Sequence, residues 1–150
     1  MIETERLLLR KPRLDDAATL GEEPERLEAW LGEWEANGIG YFTVLHAGEI
    51  VGRAGFHVFD SRTWALTTFE DGGDHAVAEL GWTLIPEYRG RGFATEAARA
   101  ARDWGKRKTL ISLIELPNVT SARVAERLGA IPGETVEIGG NPHVVWTYPQ

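Results

Sequence analysis

The chain has no cysteine, which excludes disulfides and cysteine catalysis and leaves the redox compartment unindicated. It has no run of about 18 apolar residues, so no membrane span is expected. Charge begins at Glu3, unlike a secretory leader, and the cytoplasm is the expected location. Positive charge is scarce: 16 Lys and Arg stand against 23 Asp and Glu, a net charge of −7. That balance disfavours nonspecific nucleic-acid binding, which runs on phosphate neutralisation, and is compatible with a cationic small substrate. No repeat, low-complexity tract or long linker interrupts the chain. The four histidines, His46, His57, His75 and His143, form no His-x-x-x-His pair, and no metal is expected. Gly-Lys-Ser/Thr is missing, so a P-loop is excluded. Gly-x-Ser-x-Gly is missing too, and with it a hydrolase elbow. Glu70-Asp71-Gly72-Gly73-Asp74-His75 lacks the spacing and terminal Glu of a calcium loop and reads as a solvated hairpin tip.

What is present is the composition of one globular domain over residues 1–150, with 43% hydrophobic and 26% charged residues. That length buries roughly 70% of the surface of its unfolded chain. Residues 5–11 hold Leu7-Leu8-Leu9 and read as a buried strand. Leu14-Asp15-Asp16-Ala17 starts a short helix, with two acids near its positive end. A second helix runs from Glu22 to Asn37, with Leu27, Trp30, Leu31 and Trp34 on one face, Pro24 in its first turn and Asn37-Gly38 at its end. Tyr41 to His46 and Glu49 to Phe59 form a hairpin, with Gly52 and Gly55 as bulge or close-approach points. After the central stretch, Thr109 to Ile114 is a strand. A helix follows with Asn118 as N-cap, Val124 and Leu128 facing inward, and Gly129 at its end. The last hairpin starts at Ile131-Pro132, turns at Gly139-Gly140-Asn141 and returns through Val144, Trp146 and Tyr148. Trp30, Trp34 and Trp64 suit core or dimer packing better than a substrate pocket.

The organising stretch is residues 78–98. Leu80, Trp82 and Leu84 alternate with Glu79, Gly81 and Thr83, the period of a strand. Pro86 ends the ladder. Arg89-Gly90-Arg91-Gly92 is a glycine turn, and from Phe93 the period becomes helical, with Phe93, Ala97, Ala101 and Trp104 on one face. Helix N-terminal N–H groups lack partners and carry the positive end of the dipole. Glycines let a phosphate approach them, and Arg89 and Arg91 add charge. An ordinary strand-to-helix loop with solvated arginines is the competing reading. A dinucleotide fingerprint fits poorly, because Thr95 stands at its third glycine.

Arg89-Gly90-Arg91-Gly92-Phe93-Ala94 resembles the Arg/Gln-x-x-Gly-x-Gly/Ala signature of the GNAT N-acetyltransferases. The flanks Glu79-Leu80-Gly81-Trp82 and Ala94-Thr95-Glu96-Ala97, with the opening Glu3-Thr4-Glu5-Arg6-Leu7-Leu8-Leu9-Arg10, are similar to the RimJ/RimL-like branch. The resemblance runs from near residue 2 to about residue 148. It implies an α/β fold (α+β by some schemes): a mixed twisted sheet of about seven strands with helices on both faces, in the order β-α-α-β-β-β-α-β-α-β-β. It implies acetyl-CoA as co-substrate, a primary amine as acceptor (small molecule or protein N-terminus), and a monomer or homodimer.

The same resemblance assigns roles. Glu79 is the candidate base. The strand at Trp82, Thr83 and Leu84 splays from its neighbour and pairs with the pantetheine arm, offering a backbone N–H to the oxyanion. Arg89 to Thr95 take the pyrophosphate, and Asn118 meets the cofactor arm. The family's acid, a tyrosine seven residues after the Asn, is Ala125 here. Ser121 holds the position where the ribosomal-protein branch has a serine acid. Family members carry a longer segment between the first strand and the second helix, lining the acceptor site. The intact turn also fits a CoA-binding sensor or partner-binding module without catalysis.

Overall fold

The computed structural model describes residues 1–107 and 109–149. Eight strands form one open sheet in the order β1-β2-β3-β4-β5-β6-β8-β7. They are β1 (Ile2–Glu3), β2 (Leu7–Arg10), β3 (Tyr41–His46), β4 (Glu49–Asp60), β5 (Ala76–Leu84), β6 (Leu110–Glu115), β7 (Ile131–Ile138) and β8 (Asn141–Thr147). The helices are α1 (Asp16–Leu20), α2 (Pro24–Asn37), α3 (Phe69–Gly72), α4 (Phe93–Gly105) and α5 (Val119–Arg127). The expected mixed α/β architecture is present, with two additions. The first strand is two pieces, because Thr4 N–H bonds Leu7 O at 2.9 Å and folds Ile2–Glu3 back onto Leu8 and Leu9. The stretch expected as a solvated hairpin tip begins with a helical turn instead. Thr68 caps it, its Oγ1 accepting from Asp71 N–H at 3.0 Å, and a threonine at that position satisfies a donor that a hairpin tip would leave to water.

The core follows from the periodicities. On α4, Phe93, Ala97, Ala98 and Ala101 are buried against Phe56, Leu80 and Val124. Burying the Phe93 ring alone contributes about 2–3 kcal/mol. Trp104, on the same expected face, is 44% exposed, yet its ring lies edge-on to Phe42 at 5.3 Å. On α2, Leu27, Trp30 and Trp34 are buried and Leu31 is half-buried. Gly55 has φ +150°, and a Cβ there would collide with the Gly40 carbonyl, so the close approach requires glycine. A bulge falls beside Gly52, where β3 and β4 shift register between Val44 and Leu45.

Asp16 anchors α1 to the sheet. Its carboxylate is 3% exposed and accepts from Arg10 Nη1 and Nη2, both at 2.9 Å, from Arg13 N at 2.8 Å and from Thr43 Oγ1 at 2.7 Å. Burial pushes its pKa up, but these donors outweigh burial and hold it below the ordinary carboxylate value.

Candidate active site

β5 and β6 are parallel neighbours only at Ala78↔Leu110 and Glu79↔Ile111, after which they diverge. Ile85 N–H bonds Val51 O on β4 at 2.8 Å. Strand alternation therefore turns the backbone groups of Leu80, Trp82 and Leu84 toward β6. Ser112 Oγ donates to Leu80 O at 2.6 Å and shares a 2.7 Å hydrogen bond with Tyr148 Oη. Beyond that wedge, Trp82 and Leu84 have no partner strand on this side among the described residues. A sheet that opens in this way presents backbone donors and acceptors to a ligand.

One end of the split leads to the glycine turn. Gly90 and Gly92 have φ +82° and +79°, values that favour glycine. Gly92 is the N-cap of α4 and offers no side-chain cap, so the N–H groups of Phe93, Ala94 and Thr95 stay free for an anion. The cavity here, about 730 Å³, is lined by Arg89, Gly90, Gly92, Ala94 and Thr95, and also by Arg6, Arg99, Arg123 and Arg127. In a chain of net charge −7, five arginines against Glu5 and Glu96 leave this groove locally positive. Arg6 is held there by Glu96, Nε to Oε1 2.7 Å. Thr95 Oγ1 and Trp82 Nε1, both on this groove and its continuation, are buried without a hydrogen-bond partner. Open helix N–H groups, arginines and two orphaned polar atoms fit a ligand with a phosphorylated end and a polar arm. A second cavity, about 300 Å³, continues the groove past Trp82, Thr83, Leu84, Asn118 and Ser121.

Beyond the split, a third cavity of about 550 Å³ contains Glu79. Glu79 is 7% exposed, and its Oε2 accepts from Leu113 N–H, a β6 donor freed by the divergence, at 3.0 Å. Burial drives its pKa up to about 8, against the Leu113 hydrogen bond and the charge of Arg53, which lower it. The register explains the surroundings. Tyr41 stands opposite Gly55, and Gly55 opposite Gly81. The tyrosine ring lies across the gap left by two glycines, and a Cβ at Gly81 would collide with its hydroxyl. Burial pushes Tyr41 up to about 12, so it stays a neutral donor at physiological pH. His57 stands opposite Glu79, stacks edge-on to Tyr41 at 4.6 Å and contacts Glu33 Oε1 through Nδ1 at 2.6 Å.

The sequence-derived residues divide as follows. Glu79, Trp82, Thr83, Leu84, Arg89, Gly90, Gly92, Ala94, Thr95, Asn118 and Ser121 all line the three connected cavities. Phe93 instead lies beneath them in the core, 2% exposed. Arg91 points aside: its guanidinium stacks 5.6 Å from the Tyr88 ring. Asn118 caps α5, Oδ1 accepting from Ser121 N–H at 3.1 Å. The Ser121 side chain lines the split, whereas Ala125, one turn later, is fully buried. Arg6, Arg99, Arg123 and Arg127 were missed by sequence reasoning, as were Tyr41, Arg53 and Arg26 in the Glu79 cavity. The one available signal was Thr120, Arg123 and Arg127, spaced to share an α5 face. Trp30 and Trp34 are core residues, 2% and 7% exposed. Among the described residues no cluster of potential metal ligands occurs, and no helix is long and apolar enough to cross a membrane.

The chain is similar to known proteins. The uncharacterized protein YkkB of Bacillus subtilis (strain 168) is 32% identical over 77 residues, 49% of this chain, and the match spans 45% of that relative, less than half its length. A GnaT-family acetyltransferase from Bordetella pertussis superposes with TM-score 0.80 at 26% identity, covering 98% of each chain. The fold is also that of the ribosomal-protein-S5-alanine acetyltransferase from Vibrio fischeri, TM-score 0.73 and 20% identity over 99% of this chain and 95% of that one. The acetyltransferase (GNAT) domain model matches residues 6–131, a span that takes in the split strand, the glycine turn and Ser121, and on that match the chain belongs to the GNAT acetyltransferase family.

Proposed function

We propose that the protein is a single-domain, cytoplasmic, RimJ/RimL-like N-acetyltransferase that moves an acetyl group from acetyl-CoA to a primary amine by direct attack in a ternary complex. The observation that carries this reading is the divergence of β5 from β6, with an arginine-lined groove at one end and a buried carboxyl at the other. Acetyl-CoA, when bound, supplies a thioester activated for attack. Arg89, Arg99, Arg123 and Arg127, with the α4 N-terminus, hold its phosphates. The backbone of Trp82 and Leu84 aligns the pantetheine arm, and one of its N–H groups faces the charge that develops on the carbonyl oxygen.

Glu79 takes the proton from the acceptor ammonium, directly or through one water, so that the free amine attacks. Its raised pKa suits this task, because a carboxylate near pH 8 matches an ammonium far better than one near 4. The hydrogen bond from Leu113 holds the carboxyl in one orientation. The Ser121 hydroxyl makes no protein hydrogen bond among the described residues and lines the split, so it is free to donate to the departing sulfur. The acceptor is a small molecule or a protein N-terminus, and the protein acts as a monomer or homodimer.

Release of free thiol from acetyl-CoA across a panel of primary amines tests the reading. Amine-dependent release that tracks acetylated product in equal amount is expected. CoA binding by calorimetry without release for any amine would favour a sensor or partner-binding module instead.

A further inference from the structure

Arg53 projects from β4 into the same cavity as Glu79. Its guanidinium lies 4.4 Å from the Tyr41 ring centroid and 5.1 Å from that of Trp30. The guanidinium is thus flanked by two aromatic rings, which restrain it. The other half-buried arginines among the described residues have a carboxylate: Arg10 has Asp16 and Arg102 has Asp103. Arg53 is half-buried, and among the described residues no carboxylate forms an ion pair with it. Removing a guanidinium from water without a counter-ion is costly, and a rigid planar fork is suited to an incoming carboxylate.

The opposite wall has the opposite sign. Glu115 lies on β6, with His143 Nε2 at 4.0 Å from its Oε1, and Glu79 lies on the floor between the walls. Arg26 of α2 stands on the Arg53 side, and its one ion-pair contact among the described residues is a 4.0 Å approach to Glu22. A molecule entering this cavity therefore meets cations on one wall and carboxyl groups on the floor and the other wall. A simple polyamine would match the acidic side and be repelled by Arg53.

We infer that the acceptor is a zwitterion, a free amino acid whose carboxylate is held by Arg53, with Arg26 at the rim, while its amine is directed to Glu79. This rests on the acetyl-transfer reading above. In the step itself the amine nitrogen forms a bond to the acetyl carbon, the carbon–sulfur bond breaks with its electrons on sulfur, and the amine's proton passes to Glu79. The carboxylate takes no part and only positions the amine.

The test compares the proteinogenic amino acids with their C-terminal amides, and with simple alkylamines and short peptides carrying an acidic second residue, by thiol release with acetyl-CoA. At least one free amino acid should exceed its own amide in kcat/KM by about tenfold to a hundredfold, the range of one charge-assisted interaction. Arg53→Gln should collapse that acid-to-amide ratio toward one, mainly through KM, without moving KM for acetyl-CoA. Arg53→Lys should restore part of it. The wild-type acid-to-amide comparison needs no variant and stands even if an Arg53 substitution fails to fold. Equal turnover of acids and amides, or preference for alkylamines, overturns the inference and leaves acetyl transfer standing. Preference for the acidic peptides over free amino acids moves the carboxylate to a side chain and also overturns it. Absence of amine-dependent thiol release with every amine tested removes both readings together.

Discussion

Replacing Glu79 by Gln separates chemistry from folding in one variant. The carboxyl ordinarily titrates at 4.5 and is raised to about 8 by burial. At about 1.4 kcal/mol per pH unit, that is a preference for the protonated form on the order of 5 kcal/mol. Between those two pH values the folded protein holds a proton that the unfolded chain has released. Stability contributed by the neutral carboxyl is therefore fully present below about 4.5 and is lost as pH rises through about 8. Gln keeps an acceptor for Leu113 N–H and cannot ionise. Glu79→Gln should accordingly match wild type in urea denaturation at pH 5 and exceed it by a few kcal/mol at pH 9. Kinetically it should do the reverse. The ionised fraction of a group near pH 8 rises about tenfold between pH 7 and pH 9, so wild-type kcat/KM should climb through this window. The Gln variant should fall by about 10²-fold and retain only the titration of the acceptor amine. Thiol release from pH 6 to 9.5 reads the rate. Unchanged stability at pH 9 would show that Glu79 is not held neutral, and an unchanged rate profile would show that it is not the base.

Gly92→Val puts a β-branched side chain at φ +79° on the phosphate approach; CoA affinity by calorimetry should drop about tenfold or more, while the strain lowers the melting temperature by roughly several degrees and leaves the protein folded. Unchanged affinity would remove the turn from the binding site. Ser121→Ala should lower kcat by about ten- to hundredfold, one hydrogen bond to developing charge, with acetyl-CoA binding intact; normal turnover would mean that the thiolate leaves without a side-chain acid. Asp16→Ala strands the Arg10 guanidinium in the core and should cost about 3–5 kcal/mol. Because the folded-state pKa of Asp16 is lowered, its contribution is present above the unfolded carboxylate pKa and is lost as pH falls through the folded value. A urea titration showing less than 1 kcal/mol at pH 7 would contradict the buried-pair assignment.

The strand, turn and helix of residues 78–98 were legible because each is a local pattern: alternation, two glycines and a helical apolar face. Asn118 as a cap was legible for the same reason. The cavity around Glu79 was not. Tyr41 meets Glu79 only because its register partner, Gly55, faces Gly81, and no local rule supplies register between strands so far apart in sequence. The groove arginines come from four segments that converge on one cavity. Helix α3 was masked by its acids and glycines; Thr68 as a cap was the overlooked sign.

A crystal structure with CoA tests the central claim most directly, that the divergence of β5 and β6 is where the acetyl group meets its acceptor. The pyrophosphate should lie on the N–H groups of Phe93 to Thr95, and the arm should pair with the backbone of Trp82 and Leu84. The sulfur should sit within about 4 Å of Ser121 Oγ, hydrogen-bond reach for a soft acceptor, and face the Glu79 cavity. CoA bound elsewhere, or a split closed by β6 in its presence, would contradict the account.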